Sequence, residues 1–341
     1  MICFFKFVTI ALRKYFFVIF LSLTITATAQ PAENLPCQKK LIGYTASWSN
    51  PASVDYSVLT HAFYSFLKPL SDGSLAPFSA KQETAIAYFL TQTQKDSCKR
   101  LISLSDGGSG TFPIVTANPT ARKKFIDNVI HFCLERKFDG VDVDWESMNN
   151  ESRKKNFTLL MQELRQATTK NKLTLVVTVY FGEKQGQWIE NEALLQADWI
   201  QVMAYDQTGL KTEGPIGNHA SFAHFTQAAQ YWTSRGFKKE NIVLGLPFYG
   251  YKFSTENGGR AKARTYTQIC DAYPSLKSSD NQTPDSCFFN GPDLIYQKTT
   301  YALENGFAGV MVWEMAQDSK SARSLLKSIT KAFKDFCDRK K

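Results

Sequence analysis

The run Phe138-Asp139-Gly140-Val141-Asp142-Val143-Asp144-Trp145-Glu146 concentrates carboxyls as no other stretch of the chain does. Alternating apolar and acidic residues mark a β-strand, because successive strand side chains point to opposite faces. Asp142, Asp144 and Glu146 then share one face, while Val141, Val143 and Trp145 share the other. If the apolar face is covered by helices, the acidic face must point into the sheet's interior. Carboxyls stacked there repel one another and lose hydration, so they cannot all ionise at neutral pH and at least one holds a proton. A fold gains nothing from such a stack, whereas a protonated carboxyl at a strand's carboxyl end, backed by ionised neighbours, suits general-acid attack on a glycosidic oxygen. Glu146 is the candidate acid. Its partner is either a second carboxylate on another strand or the substrate's own N-acetyl group, oriented by Asp144. A salt-bridged strand or an ion site is the competing reading, and an EF-hand calcium loop fails because Ser147 stands where glycine is required and Arg153 where the closing glutamate belongs.

The elements that must hold these groups follow from hydrophobic patterning. Eight short β-branched or apolar runs read as strands: Leu41 to Tyr44, Leu59 to Phe66, Leu101 to Leu104, Val141 to Trp145, Leu173 to Val179, Trp199 to Ala204, Ile242 to Leu246 and Gly309 to Trp313. Amphipathic stretches such as Glu83 to Lys95, Thr120 to Lys137, Glu151 to Lys170, Phe222 to Arg235 and Ser319 to Lys334 read as the intervening helices. Asn118-Pro119-Thr120 is a helix entry, and Gly236 and Gly306 are helix stops. Eight βα units in about 300 residues fit a (β/α)8 TIM barrel better than a doubly wound sheet. Such barrels place catalytic groups at the carboxyl ends of their strands, where Glu146 falls. Residues 30–341 are expected to form one barrel domain, with a short loop-rich insertion at about 254–291 between the seventh and eighth strands that reads either as a long loop or as a small β-rich elaboration of the barrel rim.

With these residues in view, Asp139-x-x-Asp142-x-Asp144-x-Glu146 resembles the signature of glycoside hydrolase family 18, the chitinases and their relatives. Further matches follow in family order: Ser105-Asp106-Gly107-Gly108 after the third strand, Met203-Ala204-Tyr205-Asp206 after the sixth, and Gly309-Val310-Met311-Val312-Trp313-Glu314 on the eighth. The resemblance spans Gly43 to Asp318 and implies roles for individual residues. Glu146 would donate the proton. Asp144 would hold the acetamido N–H so that its carbonyl oxygen attacks the anomeric carbon, giving an oxazolinium intermediate with retention. Asp142 would exchange a proton or hydrogen bond with Asp144, Asp139 would brace the strand from a turn, and Tyr205 would hydrogen-bond the attacking oxygen. Trp313 would floor the subsite of the distorted sugar, since sugar C–H faces stack well on indole. Met203 and Asp206 would line that pocket, Tyr44 and Phe63 would lie close by, and Gly107 and Gly108 would border the substrate. No cofactor or metal is implied. The expected partner is chitin or another N-acetylglucosamine-containing glycan, met by a monomer.

Two departures from the family pattern stand out. Ser109-Gly110 follows the double glycine where many family members carry tryptophan, and only 56 residues lie between Gly250 and Phe307, short for a complete α+β insertion. Both point to an open groove suited to internal cleavage. Trp48 and Trp188 follow strands and are candidate sugar platforms, whereas Trp232 sits in a helical pattern and reads as core. Three functions stay open: a chitinase, an endo-β-N-acetylglucosaminidase acting on glycoprotein cores, and a non-catalytic sugar-binding member of the fold, which the presence of Glu146 disfavours. No separate carbohydrate-binding module is visible. Unrelated barrel chemistry fares worse, because Gly107-Gly108-Ser109-Gly110-Thr111 misses the last glycine of a nucleophile elbow.

Composition sets the outer bounds. With 341 residues, 43% hydrophobic and 21% charged, the chain has the make-up of a folded globular protein and not of a disordered one. Lys6, Arg13 and Lys14, an apolar stretch from Tyr15 to Ile25, and Ala27-Thr28-Ala29 lay out a cleavable secretory signal over residues 1–29, too short in its apolar part to span a membrane. Three of the charges in the net +9 belong to that leader, leaving +6 in scattered clusters that make no nucleic-acid footprint. Removal of Cys3 with the leader leaves Cys37, Cys98, Cys133, Cys270, Cys287 and Cys337, an even count that in an exported chain favours disulfides, with Cys270–Cys287 the best-placed pair. Sequons stand at Asn150, Asn156 and Asn281.

Overall fold

The computed structural model describes residues 38–209, 215–253 and 261–340, so the leader, Cys37 and the first part of the expected insertion lie outside the described residues. Eleven strands are formed among them: β1 (Lys40–Ala46), β2 (His61–Leu67), β3 (Lys99–Leu104), β4 (Gly140–Val143), β5 (Thr174–Tyr180), β6 (Trp199–Met203), β7 (Ile242–Pro247), β8 (Tyr249–Lys252), β9 (Lys262–Thr265), β10 (Cys287–Phe288) and β11 (Gly309–Trp313). Strands β1 to β7 pair in parallel in chain order, and β11 closes the ring between β7 and β1. This is the eight-stranded (β/α)8 barrel that the repeated βα pattern predicts.

Both faces of a strand in such a barrel are buried, which is why β5 reads Thr-Leu-Val-Val-Thr-Val-Tyr without polar alternation. Ile42, Phe63, Leu101, Val176, Val243 and Met311 fill the barrel, while Val141, Val143, Val177 and Val179 face outward into a second core under the helices. The outer layer includes α1 (Ala80–Lys95), α2 (Thr111–Ala117), α3 (Pro119–Arg136), α4 (Glu151–Lys170), the one-turn α5 (Glu183–Gly186) and α6 (Asn191–Leu194), α7 (Phe222–Ser234), α8 (Tyr266–Ala272), α9 (Pro292–Glu304) and α10 (Leu325–Asp338). Local chemistry starts them as expected: Ser79 and Gln82 form a reciprocal cap on α1, and Asn118 caps α3 just ahead of Pro119. The last helix departs from its expected start at Ser319. Asp318 instead turns back to accept the backbone N–H groups of Leu325 and Leu326 at 2.8 and 3.1 Å, which delays the helix to Leu325.

Between β7 and β11 the chain builds a small antiparallel sheet in the order β10-β8-β9. Its ties to the barrel include a buried polar knot: the Lys298 ammonium on α9 donates to Asn290 Oδ1 at 2.6 Å and to the Ala220 carbonyl, and Asn290 donates to the same carbonyl at 3.0 Å.

The expected Cys270–Cys287 pairing requires correction. Cys270 on α8 and Cys287 on β10 are separate buried thiols, as are Cys98 and Cys133, so the Cys270–Cys287 bridge does not form. Each thiol is absorbed by its own element's packing against the outer core, and burial pushes Cys98 and Cys133 up to about 12. No helix among the described residues is long and apolar enough to cross a membrane.

Candidate active site

Strand β4 ends its ladder at Val143, so Asp142 sits inside the barrel while Asp144 and Glu146 climb from its carboxyl end. Trp145 turns the other way and packs between Phe112 and Phe157, at ring-centroid distances of 5.3 and 5.9 Å, which fixes the pitch of the acidic face. Asp142 is fully buried and satisfied by hydroxyls. Ser103 on β3 donates at 2.6 Å, Tyr44 on β1 at 2.8 Å, and Thr178 on β5 at 2.9 Å. Gln201 on β6 in turn donates to the Tyr44 oxygen at 2.7 Å. Burial raises the Asp142 carboxyl's pKa and these bonds pull it back.

Asp144 has no such support. It is buried, its Oδ1 has no hydrogen-bond partner among the described residues, and burial followed by the charges of Glu146, Asp142 and Asp106 holds its pKa well above the carboxylate range. Glu146 lies at the open mouth, where burial of its inner side, with Asp206 and Asp106 adding to it, raises its pKa in turn. The three carboxyls thus differ by depth: one satisfied, one buried and unsatisfied, one reachable from solvent. Among the described residues no hydrogen bond joins Asp142 to Asp144.

The other residues that the sequence singled out are distributed over several strands of the barrel. Tyr205, beyond the end of β6, is buried, and among the described residues its hydroxyl finds only the Met311 sulfur at 3.9 Å. Burial, then the charge of Asp206, raises its pKa well above 10, so it stays a proton donor. Trp313 ends β11 half-buried, stacked on Phe66 at 5.5 Å and edge-on to Tyr44 at 5.5 Å. Met203 packs against the barrel cluster, half-buried. Phe63 is wholly buried, 5.0 Å from Tyr44, and supports that ring from within the barrel. Gly107 and Gly108 adopt left-handed φ of 58° and 78° in a loop that Asp106 ties down, its carboxylate accepting from the N–H of Gly108 at 3.0 Å and of Phe112 at 3.1 Å. Asp139, at the far end of β4, accepts from the Arg100 backbone at 2.9 Å and from Lys99 at 3.2 Å.

Asp206 is braced rather than free. Tyr249 on β8 donates to its Oδ1 at 2.5 Å, and the buried His219 ring lies 3.2 Å from the same oxygen. The knot around Lys298 holds the 218–220 segment that carries His219. Sequence reasoning did not single out Tyr249, His219, Phe66 or Tyr180, whose hydroxyl touches Glu146. Of the three open tryptophans, Trp48 is 58% exposed with its ring 6.3 Å from Trp313, Trp188 packs against the outer core, and Trp232 is fully buried. Among the described residues no cluster of three or more His, Cys, Asp or Glu side chains is arranged to hold a metal ion.

A barrel with an acid-ended strand facing an aromatic floor has the make-up of a glycosidase. A profile described as Glycosyl hydrolases family 18 matches residues 40–318, and the chain belongs to that family. A class V chitinase of Arabidopsis thaliana is 24% identical to it, over 85% of this chain and 90% of the relative. Among solved structures, the GH18 chitinase ChiB from the chitin utilization locus of Flavobacterium johnsoniae superposes with a TM-score of 0.77 at 27% identity, covering 87% of this chain and 94% of that one. A chitinase from Bacteroides thetaiotaomicron gives the same TM-score at 26% identity, covering 86% and 96%.

Proposed function

We propose that the protein is an exported chitinase that cleaves β-1,4 bonds between N-acetylglucosamine units with retention, using the substrate's acetamido group as the nucleophile. The observation that carries this reading is the unpartnered, buried Oδ1 of Asp144. An acetamido N–H is the donor that this oxygen lacks, and accepting it both turns the acetamido carbonyl toward the anomeric carbon and favours the ionised form of Asp144. Tyr205, protonated and without an oxygen acceptor, is suited to orient that carbonyl oxygen.

Glu146, in its protonated form, gives its proton to the glycosidic oxygen as the bond to the leaving sugar breaks and the acetamido oxygen closes an oxazolinium ring. The Glu146 carboxylate then takes a proton from the water that reopens the ring, and the acid is restored. Asp142 anchors the column, and Trp313 supplies the floor against which the distorted sugar stacks. Export rests on the leader over residues 1–29, with cleavage before Gln30.

Product analysis on N-acetylglucosamine oligomers, soluble chitin and a high-mannose glycoprotein tests the assignment. Shorter β-configured oligomers are expected, with turnover in Glu146→Gln lower by roughly 10²–10⁴-fold. A second reading draws on the loop after β3, where Gly108 and Gly110 face open space and leave room for a branched glycan. Glycan release from the glycoprotein alone would move the assignment to an endo-β-N-acetylglucosaminidase, and binding without turnover would make the protein a lectin-like member of the family.

A further inference from the structure

Tyr180 is the last residue of β5, next to Met203 of β6 in the barrel register. Its hydroxyl lies 2.7 Å from the backbone carbonyl oxygen of Glu146 and 3.2 Å from Oε2 of the same residue. One phenol hydrogen is therefore shared between the backbone carbonyl and the carboxyl of a single glutamate, which restrains that side chain from swinging out of the mouth. Glu146 needs such a grip, since its carboxyl is the member of the acidic column reachable from solvent.

Tyr180 is itself fixed from behind. Its backbone carbonyl accepts the indole N–H of Trp232 at 2.8 Å, and Trp232 is fully buried with the Arg235 guanidinium 4.9 Å over its ring. Arg235 in turn donates to the carbonyls of Gly186 and Ile189 at 2.8 and 2.6 Å, closing the loop that follows β5 onto α7. The phenol hydroxyl is thus presented by a rigid element, not by a loop.

We propose that Tyr180 is a positioning residue for Glu146, holding its carboxyl in one orientation and, by donating to the charged form, setting the pH at which the acid is lost. This rests on Glu146 being the proton donor. The charged groups that face Glu146 are acidic: Asp144 from its own strand, Asp106 after β3 and Asp206 after β6. Tyr205 beyond β6 and Tyr251 on β8 also face it and stay protonated, with pKa values raised by burial first. Burial and these carboxylates favour the neutral acid, and the Tyr180 hydrogen bond opposes them. Tyr180 remains a donor throughout, because burial and then the Glu146 charge raise its own pKa.

The sign of the effect follows. A hydrogen bond to the carboxylate favours ionisation, so removing it raises the pKa of Glu146 and extends activity to higher pH. In Tyr180→Phe the alkaline limb of the kcat profile on an N-acetylglucosamine oligomer is expected to move up by about half to one pH unit, one such bond's worth. The plateau kcat is expected to fall several-fold with KM nearly unchanged, because ring packing stays and only the acid's orientation loosens. Infrared titration of the Glu146 carboxyl, taken as the difference between wild type and Glu146→Gln, reads the same shift without turnover. It also serves if Tyr180→Phe folds poorly, through Tyr180→His, which restores a donor and is expected to keep the limb nearer its wild-type position. A Tyr180→Phe profile that superimposes on wild type, or is only scaled, overturns the proposal. Retained activity in Glu146→Gln would instead overturn the assignment of the acid, so the two failures are separable.

Discussion

Burying a carboxyl with one oxygen unpartnered costs a fold about 1–3 kcal/mol, and Asp144 is such a group. Because the pKa values of Asp142, Asp144 and Glu146 are all raised, the native state binds more protons than the unfolded chain above the ordinary carboxylate range. That part of the stability is present at acid pH and is lost as pH rises toward neutrality. Asp144→Asn cannot ionise, so it is expected to be inactive yet more stable than wild type by about 1 kcal/mol at pH 7, with the gap closing toward about pH 4. Urea unfolding at the two pH values checks this, and a variant less stable than wild type at neutrality would refute it. At this scale the candidate site was legible in the sequence because Asp142, Asp144 and Glu146 violate the apolar pattern of a buried strand. Tyr180 and Phe66 were not, since an aromatic at a strand end is also what β-propensity alone would place there. Asp106 was legible only as part of a motif; its task of tying the loop to Gly108 and Phe112 needed coordinates.

The eight barrel strands were readable because each is a short apolar run between turn signals, and their order follows from parallel βα succession. The closing seam was not readable as a pairing, because β1 and β11 meet from opposite ends of the chain. At that seam Gly309 has φ +150°, and an added Cβ would lie 1.9 Å from the Lys40 carbonyl oxygen. Backbone on both sides cannot give way, so Gly309→Ala is expected to cost at least about 3 kcal/mol. A shift in the urea midpoint corresponding to less than about 1 kcal/mol would show that the seam yields. The sequence reading left the segment between β7 and β11 as a long loop or a small β-rich elaboration, and the individual strands were not legible for a different reason. The polar, Gly-rich stretch after Phe253 looks like a loop, and the sheet is anchored just before it, where Tyr249 and Tyr251 alternate on β8 and reach Asp206 and the barrel cluster. The late start of α10 was hidden likewise, since Asp318 acts as a cap over a distance of seven and eight residues.

For the whole molecule, the even cysteine count could not say which cysteines pair, because parity carries no geometry. Cys98, Cys133, Cys270 and Cys287 serve as small apolar side chains in the outer core. The tryptophans divide differently. Trp145, Trp199 and Trp232 are buried and Trp188 packs against the outer core, whereas Trp48 stands 58% exposed beside Trp313. The molecule therefore carries its own optical reporter. Emission that a soluble collisional quencher can reach should come chiefly from the Trp48–Trp313 pair, and a saccharide lying across that pair should shield it. Titrating an N-acetylglucosamine oligomer into Glu146→Gln is expected to reduce acrylamide quenching, and Trp48→Ala to abolish most of that change; an unchanged quenching constant would place the sugar elsewhere. Occupancy of the mouth can then be followed in solution without a label and without turnover.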